Sequence, residues 1–171
     1  MTDPFSIGEL INKHALAHSL RPDIIAAIII QESNGSTFSN RFEPGFYDRY
    51  IAHRDRSELG GWVPEPGSIP TLVTEKYNRA FSWGLMQVMG NTARELGQST
   101  APYLTSLCDP DRGIDVGCRV FAHYLGREDG NYKRALARYN AGSVTTTGLT
   151  YAEKVLSRIE KGEHLRFFQG G

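Results

Sequence analysis

The sequence predicts a mainly helical domain with an irregular loop or small strand region between residues 36 and 83. Three observations lead to this prediction. A wholly apolar segment with helix signals follows Pro22, and helix start signals recur in the second half. No long stretch of the chain alternates apolar and polar residues as a strand would. A chain of 171 residues has the length of one compact domain. We therefore expect residues 1–171 to form a single domain.

Two helices are expected at the start of the chain. Residues 6–18 carry apolar side chains at helical spacing. Pro22 suits the first position of a second helix, which should end near Ser33 because Asn34-Gly35 accepts the left-handed conformation that closes helices. The segment Ile24–Ile30 is apolar on every face, so this helix is predicted to lie at the centre of the fold.

The region between residues 36 and 83 has a weak pattern. Gly60 to Gly67 indicates an irregular surface loop. Aromatic rings are dense here and could line a groove, although for any single ring a place in the core is the more common outcome. These rings are Phe38, Phe42, Phe46, Tyr47, Tyr50, Trp62, Tyr77, Phe81 and Trp83.

Helical signals return in the second half of the chain. Thr92 with Glu95, and Thr150 with Glu153, have the spacing of capping boxes, and Asp109 and Asn131 are candidate N-caps. The corresponding helices are expected over residues 92–97, 110–125, 131–139 and 150–159. Within the longest of them, Gly113 and Gly117 lie on one side and would allow a neighbour to approach closely.

Composition and charge exclude some classes of protein. Lys and Arg together number 19, as do Asp and Glu, so the chain lacks the basic excess typical of nucleic-acid binding. The longest apolar run, Ile24–Ile30, is too short to cross a bilayer, so no transmembrane segment is expected. Cys108 and Cys118 lack the spacing of a zinc site, and free thiols are slightly favoured over a single bridge.

Glu32 is the leading candidate for a catalytic residue. It stands at the end of the apolar helix, and Ile25, Ile28 and Ile29 precede it on the same face. Low polarity and the negative end of the helix dipole both oppose a carboxylate charge, which should raise the pKa of Glu32 and suit it to act as a general acid. The alternative is a glutamate that simply reaches solvent at a helix end, which is the commoner case for an arbitrary helix.

Three short motifs add context to Glu32. Gln31-Glu32-Ser33, Gly84-Leu85-Met86-Gln87 and Tyr139-Asn140-Ala141-Gly142 follow one another with predicted helices between them, and Tyr151 comes after the third. In their order and spacing they resemble the soluble lytic transglycosylases, which share the goose-type lysozyme fold. The resemblance covers nearly the whole chain and implies that fold, a peptidoglycan substrate and no cofactor or metal.

The resemblance also implies roles for the matched residues. Glu32 would be catalytic, with Tyr151 near its carboxyl, Tyr139 orienting the reacting centre and Ser33 contacting polar groups of the substrate. Met86, Gln87 and Asn140 would belong to the sugar cleft. Structural alternatives remain for each, since Met86 suits core packing and Tyr139-Asn140 suits a helix-ending turn. Gln87 is the stronger functional candidate because an amide offers donors and an acceptor to sugar groups.

The long stretch between Glu32 and Gly84 departs from the shorter members of that family. It contains Arg41-Phe42-Glu43-Pro44-Gly45-Phe46-Tyr47, which is similar to a segment of phage and mobile-element relatives. Glu43 is a candidate substrate-binding residue that either faces the cleft or braces the loop through an arginine.

The reaction that the resemblance implies is non-hydrolytic. Glu32 would protonate the bond between N-acetylmuramic acid and N-acetylglucosamine and then accept the proton of the muramic C6 hydroxyl, which leaves a 1,6-anhydro end. The rival reaction is hydrolysis by a lysozyme, which needs a second carboxylate such as Glu43, Asp48 or Glu75. A noncatalytic wall-binding or virion module is a third alternative.

His14 and His18 are four residues apart, and Asp109, Asp111 and Asp115 are spaced like calcium ligands, but neither set completes a metal motif, so no metal is expected.

The first residues lack the features of a signal peptide. We therefore expect action on extracytoplasmic peptidoglycan in the periplasm after transport in a virion, release at lysis or export by a secretion apparatus.

Overall fold

The structure is a computed structural model that describes residues 6–97 and 103–169. It is mainly helical with one small sheet, as the sequence predicts. Its longer helices are α1 (Ile7–Ala17), α2 (Pro22–Ser33), α4 (Leu72–Arg79), α6 (Pro110–Arg127), α7 (Tyr132–Ala141) and α8 (Thr146–Glu160). Two three-residue helices, α3 (Pro44–Phe46) and α5 (Gly90–Thr92), continue into wider helical turns over Tyr47–Ile51 and Ala93–Gly97. Tight 3-10 turns cover Arg56–Glu58, Leu104–Cys108 and Glu163–Phe167.

Helix α2 lies at the centre of the core. Every side chain from Ile24 to Ile30 is buried, which confirms the prediction drawn from its apolar faces. Asn34 ends the helix in the left-handed conformation. The same hydrophobic cluster includes Leu10 of α1, Phe121 of α6 and Val155 of α8, so these helices surround α2 and fix its last turn.

The sheet is antiparallel and has the order β1 (Asn40–Phe42), β2 (Phe81–Trp83) and β3 (Val88–Met89). Arg41 pairs with Ser82, and Ser82 pairs with Met89. Gly84-Leu85-Met86-Gln87 is the turn between β2 and β3, in which Gly84 and Gln87 both have positive φ. This segment, called the hairpin turn below, has a defined backbone shape that glycine favours at its first position.

The helix starts in the second half are only partly as expected. Asp109 and Asn131 cap α6 and α7 through side-chain hydrogen bonds, which confirms two predictions. Thr92 and Thr150 are not N-caps, because both lie inside longer helical segments. Thr145 caps α8 instead, and so this helix begins one turn earlier than its capping-box pattern predicted. The expected helix stop at Gly97 is followed by residues outside the described part of the chain.

Polar contacts fasten helix α1 to helix α6. His14 contacts Asp111 at 2.7 Å, and His18 contacts Asp115 at 2.8 Å. In the described residues no group of His, Cys, Asp and Glu side chains is arranged to hold a metal ion. Cys108 and Cys118 are free thiols, and no helix of the described ranges has the length and hydropathy for crossing a membrane.

Candidate active site

A cleft of about 560 Å³ opens beside the end of α2. It is lined by Glu32, by side chains of the segment after β1, by the sheet and its following turn, and by the ends of α6 and α7. Apart from Glu32, the lining residues are Arg41, Glu43, Gly45, Phe46, Tyr50, Ser82, Gln87, Met89, Thr92, Tyr124, Tyr139, Asn140, Ala141 and Gly142. Segments from both halves of the chain therefore form one cavity, and Glu32 is part of its wall.

The Glu32 carboxyl has an environment that favours its neutral form. Burial raises the pKa of Glu32 above its ordinary value, and a hydrogen bond from Tyr151 together with the charge of Arg41 offsets part of that effect. The Tyr151 hydroxyl donates to Glu32 Oε1 at 2.5 Å, and the Tyr151 side chain is only 8% exposed. A partly buried carboxyl with one fixed partner holds its proton to higher pH than an exposed glutamate does and can release it into the cleft.

The three sequence motifs meet at the hairpin turn. Ser33 donates to the carbonyl of Leu85 at 2.8 Å, and the Tyr139 hydroxyl donates to the carbonyl of Met86 at 2.7 Å. The turn thus connects the end of α2 with α7 through two consecutive carbonyl groups. Because buried carbonyls need donors, these bonds fix the position of Glu32 relative to the opposite wall of the cleft.

Two residues that the resemblance assigned to direct substrate contact have other contacts. Met86 is 1% exposed and packs against Gly117, where an added Cβ would lie 2.3 Å from the Met86 sulfur. Its side chain therefore belongs to the core and not to the cleft, which corrects the expectation. The Ser33 hydroxyl is bonded to backbone atoms on three sides and is absent from the cleft lining, so its observed contacts are structural.

Gln87 lies in the cleft wall, but its side-chain amide already makes three hydrogen bonds within the protein. Its Nε2 donates to the carbonyls of Ser39 and Gly84, both at 2.9 Å, and its Oε1 accepts from Ser82 at 2.8 Å. Both amide donors are therefore occupied, and only a further lone pair of Oε1 is left for a ligand. Asn140 is exposed in the cleft, so its amide is the freer of the two.

Glu43 lines the cleft and also contacts an arginine, so both alternatives left open by the sequence are present together. Arg41 Nε donates to Glu43 Oε1 at 2.5 Å. The other two carboxylates considered for hydrolysis have different positions. Asp48 is exposed and is absent from the cleft lining, and Glu75 is 0% exposed, with its carboxylate held by Arg79 and Arg94.

Several cleft residues were not identified from the sequence. Ser82, Met89 and Tyr124 had no signal of their own, because their positions depend on strand register and helix packing. Thr92 was assigned a capping role and instead faces the cavity. The density of rings after β1 was the one available signal for Phe46 and Tyr50, whose centroids lie 5.0 Å apart.

The helical architecture and an acidic cleft at the end of a buried helix define the class of lysozyme-like, glycan-cleaving domains. The family model described as the Transglycosylase SLT domain matches residues 62–154, more than half of the chain, and the chain belongs to this family. The family assigns the chain to the lytic transglycosylase class of enzymes, which acts on peptidoglycan. The match includes the hairpin turn, the α7 motif and Tyr151, whereas Glu32 and Glu43 precede it. No solved structure matches the chain with significant similarity.

Proposed function

We propose that Glu32 is the single catalytic acid and base of a non-hydrolytic cleavage between N-acetylmuramic acid and N-acetylglucosamine. The observation that carries the proposal is the setting of its carboxyl, which burial keeps prone to protonation while one edge stays open to the cleft. The protonated carboxyl donates to the glycosidic oxygen as the bond to the anomeric carbon breaks. The resulting carboxylate then accepts the proton of the muramic C6 hydroxyl, whose oxygen closes the 1,6-anhydro ring.

Two tyrosines near Glu32 support this role. Tyr151 donates to Glu32 Oε1, which restrains the carboxyl and leaves Oε2 for the substrate. Tyr139 lines the cleft and is held by its bond to the Met86 carbonyl. Burial and the Glu32 charge raise the pKa of the Tyr139 hydroxyl well above its ordinary value, so it stays a neutral donor throughout the working range.

We assign substrate contacts within the cleft to Asn140, Gln87 and Glu43. Asn140 is exposed and can offer amide donors and an acceptor to acetamido and hydroxyl groups. Gln87 contributes through the remaining lone pair of its oxygen. Glu43 presents its carboxylate beside Arg41, and the pair can recognise hydroxyl groups on the same sugar.

Hydrolysis is the second candidate reaction, because Glu43 lines the same cavity as Glu32. Among the described cleft residues it is the other carboxylate, so it alone could position a water molecule there. Its ion pair with Arg41 favours a binding role over that of a base, since the guanidinium already occupies Oε1 of the carboxylate.

The products separate these reactions. Purified protein, its Glu32→Gln variant and its Glu43→Gln variant would each digest peptidoglycan, and mass spectrometry would identify the soluble muropeptides. We expect anhydromuramoyl ends from the native chain, none from Glu32→Gln, and fewer but still anhydro ends from Glu43→Gln. Reducing ends one water heavier, lost in Glu43→Gln, would establish hydrolysis. Full activity of Glu32→Gln would refute its catalytic role.

We also propose that the chain is of the phage or mobile-element type and is delivered by a virion or secretion apparatus. The support is the segment from Arg41 to Tyr47, which resembles such relatives and forms part of the cleft. Mass spectrometry of purified particles or secretion complexes from the producing cell would detect the chain if the proposal is correct.

A further inference from the structure

A second groove leaves the active site on the side of α8. It begins at Asn140, which also lines the cleft, passes Tyr151 and continues along Thr150 and Lys154 to Lys161. We call it the α8 groove. Its two parts have volumes of about 380 and 540 Å³ and share Thr150 and Lys154, so they are continuous.

The α8 groove adjoins the reacting carboxyl. Tyr151, which lines the groove, is the same residue that donates to Glu32. Gln31, the neighbour of Glu32 in α2, lines both parts of the groove. The groove and the cleft share Asn140 as a lining residue, so a substituent of a sugar bound beside Glu32 can extend toward the groove past Asn140.

The charges along the α8 groove do not cancel. Glu163 pairs with Arg158, and Glu153 pairs with Lys133 at 2.9 Å. Lys154 and Lys161 are exposed, and neither has a side-chain hydrogen bond or ion pair in the described part of the chain. Two unpaired ammonium groups in one groove favour a ligand that carries negative charge.

Gln31 adds a directed donor to these charges. Its Oε1 accepts from Arg158 Nε at 3.0 Å, which fixes the orientation of the side-chain amide. Its Nε2 has no acceptor among the described residues, and Gln31 is a lining residue of the groove. This amide can donate to a carboxylate or to a peptide carbonyl.

We propose that the α8 groove binds the peptide stem of the muramic acid residue at the cleaved bond. The inference rests on the proposed function, because a stem reaches the groove only when a glycan strand lies at Glu32. The stem is amide-linked to the lactyl group of muramic acid and carries free carboxylates, so it has the charge and the polar backbone that this groove would recognise. Lys154 pairs with a stem carboxylate, and Gln31 donates to the stem backbone.

Binding measurements test the proposal in the Glu32→Gln background, where fragments stay intact. Soluble glycan fragments with stems would be compared with the same fragments after an amidase has removed the stems. We expect tighter binding of the stem-bearing fragments, a loss of about fivefold for Lys154→Gln on these alone, and no loss for the control Lys13→Gln, which removes a lysine of α1 that lies outside the groove and pairs with Asp111. Fragments whose stem carboxylates are amidated should bind as weakly as in the lysine variant.

Two results would overturn the inference: equal losses of Lys154→Gln on both kinds of fragment, which indicate a glycan subsite, or no loss on either. Mass spectrometry of digests made by the native chain tests the proposed function separately, because it detects whether anhydromuramoyl ends are formed. Anhydro ends without a stem effect would remove only the inference about the groove. Stem-dependent binding without anhydro ends would retain the groove and reject the mechanism.

Discussion

At the scale of single residues, the site depends on what sets the pKa of one carboxyl. Glu32 combines burial, which raises its pKa, with a hydroxyl partner, which lowers it. Tyr151 thus limits the shift while it holds the carboxyl in place. The two effects can be separated because removing the hydroxyl leaves the burial unchanged.

Tyr151→Phe should therefore move the basic limb of the kcat/KM profile to higher pH. Loss of the hydroxyl removes the contact that lowers the pKa of Glu32, so the carboxyl stays protonated further into the alkaline range. We expect a fall of about tenfold in kcat/KM at the optimum, the size of one hydrogen bond to a charged group. The pH profile of wall-fragment cleavage measures both effects, with exposed Tyr103→Phe as the control. A shift to lower pH would contradict this account.

Glu32 should also make stability depend on pH. Because its folded pKa is raised, the stability it contributes is complete below the ordinary carboxyl pKa and is lost as pH rises through the folded pKa. Glu32→Gln has no such loss. As pH rises between the two pKa values, the free energy of unfolding of Glu32→Gln minus that of the native chain should therefore increase by about 1.4 kcal/mol for each pH unit. Urea titrations at several pH values measure this gain, and a constant difference would show that Glu32 has an unshifted pKa.

At the scale of elements, the hairpin turn joins the parts of the site. An added Cβ at Gly84 would lie 2.1 Å from the carbonyl oxygen of Leu107, and the residue has a φ of +69°. The same oxygen lies 2.4 Å from the corresponding position at Gly113. The carbonyl therefore fits between the hairpin turn and α6 because both elements have glycine there.

Gly84→Ala should consequently destabilise the fold by about 2 to 4 kcal/mol, since it combines backbone strain with overpacking against backbone that cannot rotate away. Chemical denaturation gives this value directly. Gly126→Ala is the matched control, because nothing lies within 4 Å of its added Cβ and the position is helical. It should leave stability unchanged or raise it by about 0.5 to 1 kcal/mol. Equal effects of the two variants would refute the role of close approach at Gly84.

Local sequence signals define some elements of this fold and not others. Helix α2 was predicted from end to end, because its proline, its apolar faces and Asn34 are all local features. Helix α4 was missed, since its eight residues have a hydrophobic pattern weakened by buried Glu75 and Arg79. Only tertiary pairing makes those charges tolerable in the interior, and pairing between distant residues has no local signal.

The same distinction applies to the site. Glu32, Tyr139 and Asn140 were found because motifs mark them, and all three line the cleft. Met86 was misplaced because a motif identifies a segment without saying which atoms face the ligand. Here the Met86 carbonyl accepts a hydrogen bond from the Tyr139 hydroxyl, while the Met86 side chain is buried in the core.

At the scale of the whole molecule, a buried ion cluster connects the region after residue 60 with the helical body. Glu75, Arg79 and Arg94 are each 0% exposed. Arg94 donates to both carboxylate oxygens of Glu75, and Arg79 donates to Oε1 and to the carbonyl of Trp62. The cluster thus joins the loop, α4 and the helical turn that follows the sheet.

Glu75→Gln should show whether these parts unfold together, as the predicted single domain requires. The change leaves two arginines buried without a full counter-charge, which costs about 3 to 5 kcal/mol. Glu65→Gln is the matched control, because its partner Arg56 belongs to an exposed pair worth at most about 1 kcal/mol. If the chain is one cooperative unit, far-UV circular dichroism and tryptophan fluorescence should report the same single unfolding transition. Glu75→Gln should then lower the denaturant concentration at the midpoint of that transition equally for both probes. Trp62 lies beside Arg94 of the cluster, and Trp83 donates to the carbonyl of Asn78 in α4. Fluorescence that changes before circular dichroism would therefore reveal a separately unfolding region and divide the chain into two units.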